Sequence, residues 1–245
     1  MALAIGGYGT AMYHRVGVLG GLGPGATLEF IAEVMAWTPA YRDQDHIAML
    51  VDHNPAVPQR QAGPDHDEAA IRAALRAMAT GLEAAGATFL VMPCNTAHAF
   101  VDEALAAISV PFLSIVEATL AELAELPATQ IGVLATDACI GSALYHDALR
   151  ERGLQAVDLG SDSQKRLMDT IFAIKAGVVG ASSSSARNMQ ALAEELVDAG
   201  AQALLIACTE IPMVLKEATV PMVNSTQALA RATVQRVKGR AVGRN

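Results

Sequence analysis

Cysteine is scarce in this chain: Cys94, Cys139 and Cys208 are the only three in 245 residues. An odd count at wide spacing does not build a disulfide framework, and reduced thiols in a cytoplasmic protein are the simpler reading. Aromatic residues reach only 4% and charged residues 17%, against 52% hydrophobic. That balance excludes global disorder and supplies a large core. Basic residues are outnumbered 25 to 17 by acidic ones, for a formal charge of −8. The shortage argues against a nucleic-acid partner, which needs a basic face, and an anionic substrate would require a local cationic pocket. No uninterrupted apolar run reaches the ~18 residues of a membrane span. The N-terminal MALAIGGYGTAMYHR lacks a basic n-region and reads as a short tail rather than a signal peptide. His46, Asp52, His53, Asp65, His66 and Asp67 contain no ligand pair at a recognised helical spacing, so no metal is expected. None of the four lysines carries a sequence sign of the desolvation that a Schiff base requires, and no cofactor is expected.

What the chain has is alternation. Val16–Leu19 reads as a strand running into the glycine turn Gly20-Gly21-Leu22-Gly23-Pro24, with a helix from Ala26 to Trp37. A strand over Ile47–Val51 leads into a proline-rich loop, Asn54 to Gly63, that carries Arg60. The spacing of Ile71, Leu75, Met78 and Leu82 predicts a helix over Asp67–Ala85, ended by Gly86. Thr88–Met92 reads as a buried strand with Cys94 in the turn after it, followed by a helix over Ala97–Ile108 and a short strand over Pro111–Ile115. The pattern then restarts. Strands are expected at Ile131–Leu134, Val157–Leu159, Ala203–Ala207 and Val220–Val223, with helices over Ser142–Arg152, Gln164–Ala176, Ala186–Ala199 and Thr226–Lys238. The serine run Ser182–Ser185 caps the third of these helices.

The restart is a repeat. Val16 precedes Cys94 by 78 residues and Ile131 precedes Cys208 by 77. Ala85-Gly86-Ala87 stands before one strand and Ala199-Gly200-Ala201 before the other. Strand–helix alternation implies parallel sheets, and a period above 100 residues is too long for a solenoid, whose repeats run roughly 20–50. The expectation is an α/β protein of two pseudo-symmetric domains, each a parallel sheet flanked by helices, with the active site in the cleft between them. The first domain is placed at residues 1–116, completed by the C-terminal helix in 225–245, and the second at 117–224.

Ligands of open parallel sheets bind beyond the carboxyl ends of the strands, and both Cys94 and Cys208 follow such ends. Each precedes an expected helix start, where amides and the helix dipole favour a thiolate. Asn95, Thr96 and Thr209 are short donors suited to a carboxylate. One cysteine alone would read as a small buried hydrophobe; two at matched positions read as an acid and a base on opposite faces of a carbon. Gly21, Gly23 and Ala26 also fit a Gly-x-Gly-x-x-Ala dinucleotide turn. Pro24 inside it and the want of a suitable acidic residue beyond Asp52 make that a poor fit. A tight turn letting backbone amides approach a ligand is the better reading. His98 is assigned to orienting its loop or capping local backbone, and Cys139 to packing.

These residues together resemble the aspartate/glutamate racemase superfamily, and its aspartate racemase branch most. The resemblance rests on Gly20-Gly21-Leu22-Gly23-Pro24 with Ala26-Thr27, on Pro93-Cys94-Asn95-Thr96-Ala97-His98, and on Cys208-Thr209-Glu210-Ile211-Pro212. It implies a cofactor-independent racemase interconverting L- and D-aspartate, or a related acidic amino acid, by a two-base mechanism. Cys94 and Cys208 match the two acid/base thiols. Asn95, Thr96 and Thr209 match the carboxylate binders, with Thr136 and the glycines Gly21 and Gly23 also at the site. Arg60 and Lys175 match the cations linked to the side-chain carboxylate. A cytoplasmic homodimer, with a small amino acid as partner and neither nucleic acid nor membrane, is the default for such enzymes. Glu210 stands where the glutamate racemase branch has histidine. Ala138-Cys139 replaces a usual Gly-Thr, and Asn224 replaces a usual aspartate before Ser225. The alternatives are a maleate-type isomerase, a hydantoin racemase, a decarboxylase needing one thiol, or a catalytically silent carboxylate sensor.

Overall fold

The computed structural model describes residues 14–61, 63 and 66–239. Most of the N-terminal tail, Asp65 and the end of the expected C-terminal segment lie outside the described residues. Among the described residues eight strands form two four-stranded sheets, both wholly parallel. In the first sheet the order is β2-β1-β3-β4, from β1 (Arg15–Gly20), β2 (Ala48–His53), β3 (Phe89–Val91) and β4 (Phe112–Leu113). The second repeats it as β6-β5-β7-β8, from β5 (Gln130–Ala135), β6 (Gln155–Val157), β7 (Ala203–Ala207) and β8 (Met222–Asn224). Val16 stands opposite Met49 and Phe89 in one sheet, and Ile131 opposite Ala156 and Ala203 in the other.

The pseudo-symmetry reaches single atoms. A Cβ on Gly17 would meet Leu90 Cδ2 at 2.5 Å, then Ala87 and Leu82; a Cβ on Gly132 would meet Leu204 Cδ2 at 2.7 Å, then Ala201 and Leu196. In each half a strand glycine lets the neighbouring strand, and the helix that leads into that strand, close over it. The helices are α1 (Pro24–Trp37), α2 (Glu68–Ala84), α3 (Val101–Leu105), α4 (Ile115–Leu123), α5 (Asp137–Gly141), α6 (Leu144–Glu151), α7 (Ser161–Lys175), α8 (Ser184–Asp198) and α9 (Ser225–Lys238). Asp67 caps α2 by accepting from the Ala70 amide at 2.9 Å, and Ser183 caps α8 by accepting from that of Ala186 at 3.1 Å. After them Gly86 and Gly200 adopt the left-handed conformation that closes a helix, at φ 91° and 101°.

Because successive strand residues face opposite sides, each sheet has an inner and an outer face. The outer faces take α2 in the first half, through Ile71, Leu75 and Met78, and α7 with α8 in the second, through Leu167, Ile171 and Met189. The inner faces share one core. Val16, Val18, Phe89 and Val91 of the first sheet join Ile131, Val133 and Leu205 of the second through Phe30 of α1, Leu120 of α4, Tyr145 of α6 and Leu229 of α9.

β6 lies at Gln155–Val157 rather than at the expected Val157–Leu159, and the structure departs from the sequence expectations at three further places. The sequence pattern announces no helix over 115–123, yet α4 is there, capped by Ser114, which accepts from Val116 and Glu117 amides. The helix expected over Ala97–Ile108 is a one-and-a-half-turn 3₁₀ segment, Thr96–Phe100, continued by the short α3. The helix expected over Ser142–Arg152 begins at Leu144, preceded by Ala143 at φ 53° and by the separate turn α5.

Candidate active site

The order 2-1-3-4 reverses direction between β1 and β3, and its counterpart between β5 and β7. Ligands of open α/β sheets bind at such points. Four segments leave the sheets there: the glycine turn after β1, the Cys94 turn after β3, Thr136 after β5 and Cys208 after β7. With the Pro55–Gln61 loop and the end of α7 they enclose a cavity of about 310 Å³. Cys94, Asn95, Thr96, Arg60, Thr136, Lys175, Cys208 and Thr209 all line it, with Glu210 beside them. Both thiols are buried, at 6% and 4% exposure.

The Cys94 turn is held from inside. The Ile115 amide donates to His98 Nε2 at 3.2 Å, so Nδ1 carries the proton and donates to the Cys94 carbonyl at 2.7 Å. Burial pushes His98 down to about 4, and the imidazole is neutral at physiological pH. His98 thus does orient its loop. Asn95 is engaged on both ends: Tyr145 donates its hydroxyl to Asn95 Oδ1 at 2.6 Å, and Asn95 Nδ2 donates to Ser225 Oγ at 2.9 Å. Its side chain ties the turn to α6 and α9. Thr96 and Thr136 join the halves directly, hydroxyl to hydroxyl at 2.9 Å. Cys139 is packed in the shared core at 1% exposure, and burial pushes its thiol up to about 12.

On the opposite wall Glu210 dominates. One carboxylate oxygen pairs with Lys175. The other accepts from the Cys208 thiol at 3.3 Å and the Thr209 hydroxyl at 3.4 Å. Burial, and next the Glu210 charge, raise the Cys208 thiol well above its ordinary range, so it stands protonated. Burial pulls Lys175 down, but the charge and hydrogen bond of Glu210 outweigh it, and the ammonium is held charged. A Cβ on Gly23 would overlap the Glu210 carboxylate; the glycine makes room for the pair. Gly21, at φ 86°, lies against the Asn54 backbone. Both glycines line an adjoining cavity rather than the one between the thiols.

Arg60 is fastened by its own loop. Its guanidinium donates to the carbonyls of Val57 at 3.1 Å, Pro58 at 2.8 Å and Leu22 at 2.9 Å. Among the described residues it has no carboxylate partner. Asn224 caps α9, accepting from the Thr226 amide at 2.9 Å, a role asparagine fills as well as aspartate. Among the described residues no three His, Cys, Asp or Glu side chains are placed to hold a metal, and no helix is long and apolar enough to cross a membrane.

Residues 19–233 match the family described as Asp/Glu/Hydantoin racemase. The chain belongs to that family. Among its relatives is the broad specificity amino-acid racemase RacX of Bacillus subtilis, 32% identical over 228 residues, which are 89% of this chain and 96% of RacX. The Picrophilus torridus aspartate racemase superposes with a TM-score of 0.79 at 27% identity, covering 94% of this chain and 96% of that one. Glutamate racemase from Francisella tularensis shares the racemase fold at a TM-score of 0.66 and 17% identity, covering 95% and 85%. Glu210, which in the sequence serves only to separate the branches of the family, is in the structure a wall residue of the site. Its position two residues after Cys208 was a usable signal for a place at the site.

Proposed function

We propose that this racemase-family chain interconverts the enantiomers of an α-amino acid without pyridoxal phosphate, using Cys94 and Cys208 as its two bases. The observation that carries the reading is that two buried thiols, delivered by equivalent strand ends of the two halves, line one cavity. In one direction the Cys94 thiolate takes the α-proton, breaking Cα–H and forming S–H. Cys208 gives its thiol proton to the opposite face of the same carbon. The sulfurs exchange protonation states, and the reverse substrate uses them the other way round. Amides and hydroxyls at Thr96 and Thr209 stabilise the charge that spreads onto the carboxylate. Lys175 is the lysine of this cavity, and its pairing with Glu210 opposes the neutral amine that a Schiff base needs.

Relatives divide on substrate, aspartate for the Picrophilus enzyme and broad specificity for RacX. The motif resemblance favours aspartate, with Arg60 as counter-charge. The pairing of Lys175 with Glu210 weighs against a second carboxylate at the same end.

The test is α-hydrogen exchange in deuterium oxide, followed by NMR together with chiral chromatography. Wild type should exchange and interconvert the enantiomers of at least one amino acid. Cys94→Ser and Cys208→Ser should each lose about 10²–10⁴-fold in racemisation, the usual worth of a general acid or base. Full activity in either folded variant would sink the two-thiol mechanism.

A further inference from the structure

The cavity between the thiols does not end at the Lys175–Glu210 pair. A second cavity of about 400 Å³ meets it there, and the two share Pro55, Arg60, Lys175 and Glu210 in their walls. Its other walls are small or apolar, among them Gly23, Gly25, Ile174, Val179 and Met213. Gly25 is informative. It is a helix residue with no left-handed backbone, and a Cβ there would stand at an ordinary 3.6 Å from Met213 Sδ. Neither backbone nor close packing requires glycine at this position; its missing side chain leaves the cavity open.

The charges point the same way. Among the described residues, Arg60, Lys175 and Glu210 are the charged side chains lining the two cavities, beside the thiols. A two-base cycle needs one cysteine as thiolate. Two positive groups then face two negative ones, and the site's own charges balance. An amino acid with one carboxylate and one ammonium keeps that balance. A second carboxylate would add an uncompensated negative charge beside buried Glu210, and could take Lys175 only by stranding Glu210.

We propose that the adjoining cavity is the side-chain subsite, and that the substrates are monocarboxylic α-amino acids whose extended side chains pass the Lys175–Glu210 pair into it. The proposal rests on the racemase reading of the same site.

Methionine, alanine and aspartate are the probes. In deuterium-exchange assays of wild type, kcat/KM for methionine should exceed that for aspartate by about 10-fold or more, the scale of discrimination by one or two buried methylenes. Aspartate exceeding methionine would overturn the subsite and leave the racemase reading standing. Gly25→Leu and Val179→Trp place bulk in the adjoining cavity, the second from a residue that is 43% exposed and free to change without unfolding the chain. Each should lower kcat/KM for methionine about 10-fold more than for alanine; equal losses on both substrates would overturn the assignment. Calorimetric binding to Cys94→Ser reads the subsite without turnover. Methionine binding more tightly than aspartate supports it even if no exchange is seen, in which case the racemase reading alone fails; aspartate binding more tightly refutes it.

Discussion

Glu210 sits where three demands meet: it neutralises Lys175, accepts the Cys208 proton and occupies the space left by Gly23. The protonated state of Cys208 follows from burial first and this carboxylate second, with Lys175 pulling the other way. Replacing the carboxylate by an amide of the same shape removes the like charge and leaves Lys175 acting on the sulfur unopposed. The thiol pKa of Glu210→Gln should therefore fall, with more thiolate at any fixed pH. Alkylation by iodoacetamide at pH 8, read residue by residue by mass spectrometry, should be faster at Cys208 in the variant than in wild type. Cys139 should stay inert in both proteins and serves as the internal control. An unchanged Cys208 rate would mean that Glu210 does not govern the thiol. The same variant should racemise less well in the direction that needs Cys208 as the acid, because a larger share of its sulfur is thiolate and cannot deliver a proton.

The turn after β3 is short, 3₁₀ rather than α-helical, and organised by one neutral imidazole. His98 is held near 4 by burial, whereas an unfolded histidine titrates near 6.5. A depressed folded pKa means that the unfolded chain binds the proton more readily below 6.5. The stability His98 contributes is therefore complete above pH 6.5 and is lost as pH falls from there toward 4. Between pH 7.5 and 5 the loss amounts to about 2 kcal/mol. Urea denaturation at the two pH values should show it in wild type, and His98→Gln should be less stable at pH 7.5 but markedly flatter between them. Equal slopes would contradict the assignment. At this scale the sequence was legible wherever one element determined itself. β7 lies at Ala203–Ala207, as its apolar run implied, and α2 follows its four-residue periodicity. It was less legible where tertiary contacts decide. Ala97–Ile108 reads as one helix, yet the hydrogen bonds of Asn95 to Tyr145 and Ser225, 50 and 130 residues away, hold the chain before it in a tighter turn. α4 carried a readable signal, Ser114 three residues before Glu117, that its apolar neighbours masked. The cysteines were found because strand ends are local; the Lys175–Glu210 pair spans 35 residues, and nothing local announces it.

At the scale of the molecule, the two sheets are separate but their inner core is common. The division expected between residues 116 and 117 falls in the first turn of α4. We propose that it lies after α4, with α9 returning to complete the first half. α9 packs on α1 and α4, its Arg231 paired with Glu122 and stacked 4.8 Å from the centre of the Trp37 ring. Such halves cannot unfold independently, because removing either one exposes the core face of the other. Calorimetry should accordingly give one transition with equal calorimetric and van't Hoff enthalpies. Leu120→Ala, which opens a hole where α4 meets that core, should cost about 2–5 kcal/mol and lower the single transition rather than split it. A chain stopped after Asn224 loses Leu229, Ala230 and Val234 from the core and should give no cooperative transition. Two resolved transitions in wild type would refute the shared core as the unit of stability. They would also weaken the catalytic reading, since Thr96 and Thr136 hold the two thiol-bearing walls together across that boundary only while both halves are folded.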